Sequence, residues 1–124
     1  MGYRSDVTAV FYTTKKDQWP MLKLYVDEHF PETLKGDLQT IQGKHVAGYE
    51  FSGQGWKWYD SYPDVQEFNR FVSNFLELVD GGDDGPLWCY EFARIGEDYE
   101  DLEINRSDSA TFVLNFSRSI EVDF

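Results

Sequence analysis

Apolar residues along the chain recur at two spacings, one typical of strands and one typical of helices. The segment 6–12, DVTAVFY, is apolar on both faces, as expected of a central strand. A possible capping box, Thr14 with Asp17, follows it and predicts the start of a helix. This first helix has one apolar stripe and ends near residue 30; the stripe consists of Trp19, Leu22, Val26 and Phe30.

The middle of the chain predicts a connection followed by a β-hairpin. Residues 32–44 are polar and contain two glycines, which favours a loop with room for a further turn of helix. Two aromatic-rich runs, 46–51 and 56–60, flank the glycine-containing stretch 52–55. This arrangement is typical of two strands joined by a short turn.

A second helix is the most regular element of the sequence. Ser61 and Asp64 form another capping signal, with Pro63 in the first turn, and about four turns of apolar periodicity follow. The periodic residues are Val65, Phe68, Val72, Phe75, Leu76 and Val79. The glycines and proline of residues 80–86 then predict the end of the helix.

The remainder of the chain predicts strands. Residues 87–95 are largely apolar, and residues 102–106 return as a further strand after an acidic turn. Residues 111–124 alternate between apolar and polar positions, interrupted by Arg118. This last stretch predicts a final strand, either continuous or bent or broken near residues 115–119.

The order β-α-ββ-α-β, with two extra C-terminal strands, is that of a ferredoxin-like α+β sandwich. We expect an antiparallel sheet that two helices cover on one face. A chain of 124 residues is long enough to bury a core without disulfides or metals, so a single domain, 1–124, is predicted.

Two stretches of the chain resemble each other. Residues 49–60, YEFSGQGWKWYD, and residues 90–101, YEFARIGEDYED, are identical at five of twelve positions and both aromatic at a sixth. Both are predicted to lie where a strand enters a hairpin, and chance or an old duplication would explain the match equally. The first stretch is rich in tryptophan and the second in acid.

Charge is divided sharply along the chain. Residues 1–59 hold seven acids and seven Lys or Arg, whereas residues 60–124 hold sixteen acids and four Arg. The second half therefore carries the whole net charge of -12. Because contact with phosphates requires cations, this half argues against direct nucleic-acid binding and favours a basic partner or simple solubility.

The sequence predicts no catalytic, metal or cofactor site. Cys89 is the only cysteine and lies in an apolar run, so we expect a buried structural thiol and neither a disulfide nor a multi-cysteine zinc site. His29 and His45 form no local motif with it. The loop 80–86 lacks the ligand pattern of an EF-hand. We expect a protein that is not an enzyme.

No stretch has the length and apolarity of a signal peptide or a membrane span. The expected location is the cytoplasm, with no membrane partner.

Two clusters remain as candidate surfaces. An acidic cluster is the stronger candidate for binding a partner, since carboxylates alternating along extended chain would stand about 6.6 Å apart, comparable with two phosphate steps of a duplex. It comprises Glu97, Asp98, Glu100, Asp101 and Glu103, with Asp83 and Asp84 near the other end of the preceding strand. A possible aromatic patch comprises Trp56, Trp58 and Tyr59, for which packing in the core or at an edge competes with stacking of a ligand.

The opening residues MGYRSDV resemble the start of small, mostly uncharacterised proteins encoded by bacteriophages and prophages. The resemblance implies a phage protein that acts in the cytoplasm of a bacterial host, where small acidic proteins commonly inhibit host enzymes or defence systems by binding them. Anti-CRISPR and anti-restriction proteins are of this kind, and several mimic DNA in their charge.

The leading hypothesis is therefore an acidic viral protein that inhibits a host protein, one that handles nucleic acid or acts in defence such as CRISPR-Cas, by occupying its basic surface. Two alternatives stay open. One is a small-molecule-binding protein or enzyme that uses the aromatic hairpin and a cleft near Trp56, Tyr59 and Trp88. The other is an oligomeric structural protein that pairs through its C-terminal strand.

Overall fold

The computed structural model describes residues 3–80, 85–98, 100–111, 113–116 and 120–122. The strands are β1 (Ser5–Thr13), β2 (Leu38–Gln42), β3 (Ala47–Trp56), β4 (Cys89–Gly96), β5 (Leu102–Arg106), β6 (Leu114–Phe116) and β7 (Ile120–Val122). The helices are α1 (Trp19–His29) and α2 (Pro63–Asp80), with short 3-10 helices at Lys16–Gln18 and Glu32–Asp37. The chain is thus α+β, as predicted.

Five of the strands form one open antiparallel sheet in the order β2-β3-β1-β4-β5. The central strand β1 is almost wholly buried, which agrees with the apolar character of both its faces. The remaining strands, β6 and β7, pair with each other in a separate two-stranded sheet.

Both helices pack on the same face of the five-stranded sheet. Phe11 of β1 is at the centre of this core, with ring contacts to Phe30 after α1 and to Phe71 and Phe75 of α2 at centroid distances of 5.2–6.0 Å. These edge-on aromatic contacts add to the area buried by each ring. The expectation that two helices cover one face is confirmed for the core that the described residues form.

The opposite face of the sheet has a smaller core of its own. Val10 and Tyr12 of β1 lie there with Cys89 of β4, and Val113 and Leu114 of the C-terminal segment cover them. The sheet is therefore covered on both faces at its centre, which the sequence did not predict.

The predicted β-hairpin with its turn at residues 52–55 is wrong. Strand β3 runs straight through these residues, and its hairpin partner is β2, within the segment 32–44 that was interpreted as a connection. Strand β2 is short, polar and at the edge of the sheet, so it lacks the apolar alternation that marks a half-buried strand. Residues 57–60, predicted as strand, are irregular chain.

Two glycines explain why residues 52–55 resembled a turn. The Trp56 indole lies so close to Gly53 that a Cβ on this residue would overlap the ring. Gly55 has a φ of 65°, which glycine adopts without strain, and its amide donates to Asp6 Oδ1 at 3.0 Å. The register of β1 and β3 shifts beside them. Gly55 therefore accommodates a β-bulge, and Gly53 leaves room for the packed Trp56 indole.

Smaller boundaries also differ from the prediction. Thr14 and Asp17 do not cap α1, which begins at Trp19 after a 3-10 turn, and Gln18 at its N-cap makes no side-chain hydrogen bond. The C-terminal alternation forms the two short strands β6 and β7, in agreement with the predicted alternative of a strand broken near residues 115–119. The loop 81–84, Phe112 and Arg118 lie outside the described residues.

The two similar stretches occupy matching places on either side of β1. Phe11 pairs with both Tyr49 and Tyr90, and the next two residues of each stretch keep the same register. The first stretch lies in the strand that leaves a hairpin and the second in the strand that enters one, which corrects the prediction that both enter. The shared Tyr-Glu-Phe therefore occupies the same register on both sides of one central strand.

Candidate functional site

The acidic cluster predicted from the sequence lies mainly in the turn between β4 and β5, residues 97–101. Gly96 N donates to Asp101 O at 2.8 Å and closes the turn at its base. Asp101 N donates to Asp98 O at 3.0 Å inside it. The carboxylates from 97 to 101 are thus carried by a compact turn, so the extended row that suggested phosphate spacing does not form there.

Arg94 of β4 holds the base of this turn. Its guanidinium donates to both carboxylate oxygens of Asp101, at 2.9 and 3.1 Å, and to Glu103 Oε1 at 3.2 Å. A bidentate guanidinium–carboxylate contact is among the stronger hydrogen-bonded ion pairs. It keeps the pKa of the Asp101 carboxyl below its usual range, mainly through the hydrogen bonds from Arg94, with the Tyr3 hydroxyl adding to the effect.

Tyr3 fastens the N-terminal segment to the same turn. Its hydroxyl donates to Asp101 Oδ2 at 2.5 Å and accepts from the Asp98 amide at 3.0 Å. The hydrogen bond to Asp101 raises the pKa of the Tyr3 hydroxyl. The backbone amide of Tyr3 donates to the hydroxyl of Tyr59, so one residue links the acidic turn to the aromatic segment.

The predicted acids therefore divide into two groups. Asp101 and Glu103 are tied to Arg94. Glu97, Asp98 and Glu100 are exposed, and their side chains make no ion pair with any residue that the structure describes. We call Glu97, Asp98 and Glu100 the acidic tip. Asp83 and Asp84, which were predicted to lie near the opposite end of β4, fall outside the described residues.

The aromatic patch is half-buried rather than free on the surface. Trp56 and Trp58 stack on each other at a centroid distance of 6.0 Å, and Trp58 meets Phe68 of α2 edge-on at 5.3 Å. Both tryptophans pack against the helix-side core. The interpretation as edge packing is therefore supported, although Trp58 and Tyr59 also line a cavity.

This cavity is a cleft of about 670 Å³ between α2, the strands β4 and β5, and the segment 58–60. It exists because β5 extends the sheet beyond the part that α2 covers. Its walls combine Trp58 and Tyr59 with the carboxylates of Asp60, Asp101 and Glu103. We call it the α2–β5 cleft. It brings together residues of both similar stretches, which the sequence placed forty-one residues apart.

The cleft differs from the one that the sequence suggested. Trp88 is 3% exposed and stacks on Phe75 at 5.7 Å within the core, away from the cleft lining. Trp56 lies over Gly53 and likewise does not line the cleft. Of the three aromatic residues predicted to border a cleft, Tyr59 lines the α2–β5 cleft, while Trp56 borders a separate pocket of about 270 Å³.

Sequence reasoning missed Glu91, the most buried charged residue described. It is 0% exposed, and its carboxylate accepts from Tyr12 Oη at 2.5 Å, Arg106 Nε at 3.0 Å and the amides of Val113 and Leu114 at 2.8 and 3.1 Å. Burial, and then the bond to Glu91, raise the pKa of the Tyr12 hydroxyl. A single acidic residue within a largely apolar predicted strand was the sequence signal that could have identified Glu91.

Cys89 is buried, as predicted, and its thiol donates to Ser109 O at 3.2 Å. Burial raises the pKa of this thiol, which disfavours the reactive thiolate. Within the described parts of the chain, no group of His, Cys, Asp and Glu side chains is arranged to hold a metal ion. Neither α1 nor α2, nor any other described helix, has the length and apolarity needed to span a bilayer.

Comparison with known proteins finds no protein-family model that matches the chain. No curated protein and no solved structure matches it either.

Proposed function

We propose that this chain is a non-enzymatic binding protein of ferredoxin-like fold that docks its acidic tip on a basic surface of a host protein. The strand order β2-β3-β1-β4, with a helix in each of the two connections, supports the fold assignment. The resemblance of its first residues to phage proteins supports a bacterial host and a role in inhibiting a nucleic-acid-handling or defence protein.

The proposal rests mainly on the contrast between the paired acid at the base of the β4–β5 turn and the unpaired acids of its tip. Arg94 and Tyr3 hold Asp101 at the base, while Glu97, Asp98 and Glu100 stay exposed and unpaired among the described residues. A turn that is ordered before binding presents charge with little loss of conformational entropy on docking. Surrounding acids of the second half strengthen the field that steers a basic partner.

Inhibition would follow from occupancy alone. A partner that binds nucleic acid has a cationic surface, and a carboxylate-bearing turn placed there competes with phosphates for the same cations. The chain would therefore act without binding nucleic acid itself.

The test uses a variant of the tip that leaves the base of the turn intact: Glu97→Gln, Asp98→Asn and Glu100→Gln together. The partner is captured from a bacterial lysate with the native chain, purified and titrated with both proteins at several salt concentrations. We expect about tenfold weaker binding or more, with a shallower salt dependence, because three rim charges are lost.

A matched control removes three exposed acids of the first half: Asp17→Asn, Glu28→Gln and Asp37→Asn. The control has the same net charge as the tip variant, so it separates local contact from the overall field. Equal affinity of the tip variant and the native chain would refute the proposal. Displacement of the native chain by duplex DNA would support occupancy of a nucleic-acid surface.

A second candidate function is binding of a small molecule, and the volume of the α2–β5 cleft favours it. Cavities of about 300–1,000 Å³ with aromatic walls and a few polar groups are typical of ligand sites. A ligand-observed NMR screen of metabolites would test it, since a hit must lose affinity when Asp60, at the cleft wall, is changed to Asn.

A further inference from the structure

The described lining of the α2–β5 cleft contains more acidic than basic residues. This lining contains the acids Asp60, Asp101 and Glu103 and the arginines Arg94 and Arg106, but the guanidinium of Arg106 lies on the opposite face of the sheet. Arg106 is itself paired at 3.0 Å with the buried carboxylate of Glu91. The net field in the cleft is therefore negative.

The two cations of the lining are already engaged. Arg94 makes four hydrogen bonds, three to Asp101 and Glu103 and one to Ser5 Oγ at 3.1 Å. Arg106 donates to Glu91 and, through Nη2, to Leu114 O at 3.0 Å. A phosphate or carboxylate ligand would have to displace these bonds, so the cleft disfavours anions.

Two carboxylates of the cleft, those of Asp60 and Glu103, can still accept hydrogen bonds from a cation. Asp60 is exposed at the wall and makes no ion pair with a described residue. Glu103 accepts at Oε2 from Asn105 Nδ2 at 3.0 Å, and each carboxylate oxygen has two lone pairs. Both oxygens of Glu103 thus remain able to accept a further hydrogen bond.

Aromatic rings stand beside these carboxylates. Trp58, Tyr59 and Tyr3 all line the cleft. A cation over the face of an aromatic ring is attracted by the ring quadrupole, and the attraction grows where water is excluded. Rings and carboxylates together are the surroundings that stabilise an organic cation.

We infer that the α2–β5 cleft binds the guanidinium of an arginine side chain supplied by the basic partner. A planar guanidinium stacks on a ring and donates to two carboxylate oxygens at once, whereas a lysine ammonium is a more strongly hydrated point charge. The cleft volume of about 670 Å³ also leaves room for the neighbouring backbone of the partner. The inference rests on the proposed function, because it assigns an anchor residue to the same partner.

The acidic tip and the cleft are close enough for one partner segment. Glu100 and Glu103 are three residues apart, so their Cα atoms are at most about 10 Å from each other, the length of that span in extended chain. A basic loop that contacts the tip can therefore place one side chain in the cleft. Interfaces commonly depend on such a buried arginine surrounded by weaker rim contacts.

The test titrates the full chain with N-acetyl-arginine amide and follows backbone amides by NMR. We expect shifts centred on the cleft, at Trp58, Tyr59, Asn69 and Asn105. The lysine analogue should bind roughly fivefold more weakly, and the citrulline analogue, which is neutral but similar in shape, more weakly still. Asp60→Asn and Glu103→Gln should each weaken arginine binding, while the distant Asp17→Asn should not.

Two results would overturn the inference. Equal binding of citrulline and arginine would mean that the cleft takes a neutral ligand, and shifts confined to the acidic tip, alike for arginine and lysine, would mean that the cleft takes none. Asp60 is exposed and makes no ion pair with a described residue, so its variant stays informative if Glu103→Gln unfolds. Either result leaves the proposed function standing, since that depends on the tip variant and the captured partner.

Discussion

At the scale of single residues, Glu50 and Glu91 show how equivalent positions acquire different roles. Both pair with Val10, one on each side of β1, and both therefore face the side of the sheet opposite the helices. The C-terminal segment covers Glu91 and satisfies it with four hydrogen bonds. Glu50 is half-buried, and partial burial alone raises the pKa of its carboxyl.

Glu91→Gln should destabilise the fold by about 3 kcal/mol or more, because it removes one partner of a buried, hydrogen-bonded ion pair. Urea unfolding at neutral pH measures the loss. Glu50→Gln is the matched control, and we expect a change within about 0.5 kcal/mol, since an amide there avoids the cost of a half-buried charge. Similar losses for both variants would contradict this account.

The Glu91→Gln substitution should also loosen the C-terminal segment that covers Glu91. Ser109 O accepts from the Cys89 thiol, and Val113 and Leu114 help to bury this face of the sheet. We expect Cys89 to react faster with a thiol reagent in Glu91→Gln than in the native chain, and slowly in Glu50→Gln. An unchanged rate would show that the segment is held independently of Glu91.

At the scale of elements, the region from β3 to α2 depends on packing that only a glycine permits. The Trp56 indole folds back over Gly53 and contacts Phe51 at a centroid distance of 5.2 Å. It thereby extends the helix-side core beyond the end of the strand. The same packing positions Trp58, the next ring in the stack, at the wall of the cleft.

Gly53→Ala should displace the Trp56 indole and destabilise the fold by about 1–3 kcal/mol, the usual cost of overpacking. Tryptophan fluorescence should shift to longer wavelength as the ring moves toward water. Gly36→Ala is the control, since a methyl group there meets nothing within 4 Å. A stable Gly53→Ala variant with native fluorescence would refute the packing argument.

The turn between β4 and β5 should open in acid. Because the pKa of the Asp101 carboxyl is lowered in the folded chain, its ionised form stabilises the turn above the unfolded pKa of about 4. That contribution is lost as the pH falls through the lowered pKa. The difference in unfolding free energy between the native chain and Asp101→Asn should therefore become smaller as the pH falls below about 4.

Arg94→Gln supplies the control for this pH dependence. The hydrogen bonds from Arg94 are the main cause of the lowered Asp101 pKa, so Asp101→Asn in that background should show a much weaker dependence on pH. Native chain, Asp101→Asn, Arg94→Gln and the double variant form a double-mutant cycle, and urea unfolding of all four from pH 7 to about 3 measures it. A difference that stays constant with pH would contradict the assignment.

At the scale of the whole molecule, the net charge of -12 affects folding and binding in opposite directions. Repulsion among like charges destabilises the compact state, and salt screens it. Attraction to a basic partner is screened as well. We expect the stability of the free chain to rise with added sodium chloride while the affinity of the complex falls.

Urea unfolding at about 0.01 M and 0.3 M sodium chloride measures the first effect, since the Debye length shortens from about 30 Å to well under 10 Å. Urea is uncharged and leaves the ionic strength unaltered. A midpoint that falls with salt would show that local ion pairs, such as those of Arg94, outweigh the general repulsion.

Much of the fold follows from local pattern. The strand at 102–106 was predicted with its observed bounds. Helix α2 was predicted nearly so, because a strongly periodic apolar face determines an element wherever it packs. The charge division and the burial of Cys89 also follow from composition and neighbouring residues. Strand β2 could not be predicted, since an exposed edge strand needs only backbone pairing and leaves little apolar signal.

The sequence by itself determined which helices and central strands form, which half carries the charge and which acids crowd between β4 and β5. Tertiary structure decided which of those acids are available, because Arg94 of β4 and Tyr3 of the N-terminal segment reach Asp101 and leave the acidic tip unpaired within the described chain. It also decided that Glu91 is fully buried while Glu50 is half-buried. Hydrogen bonds and burial depend on residues distant in sequence, which a local pattern does not record.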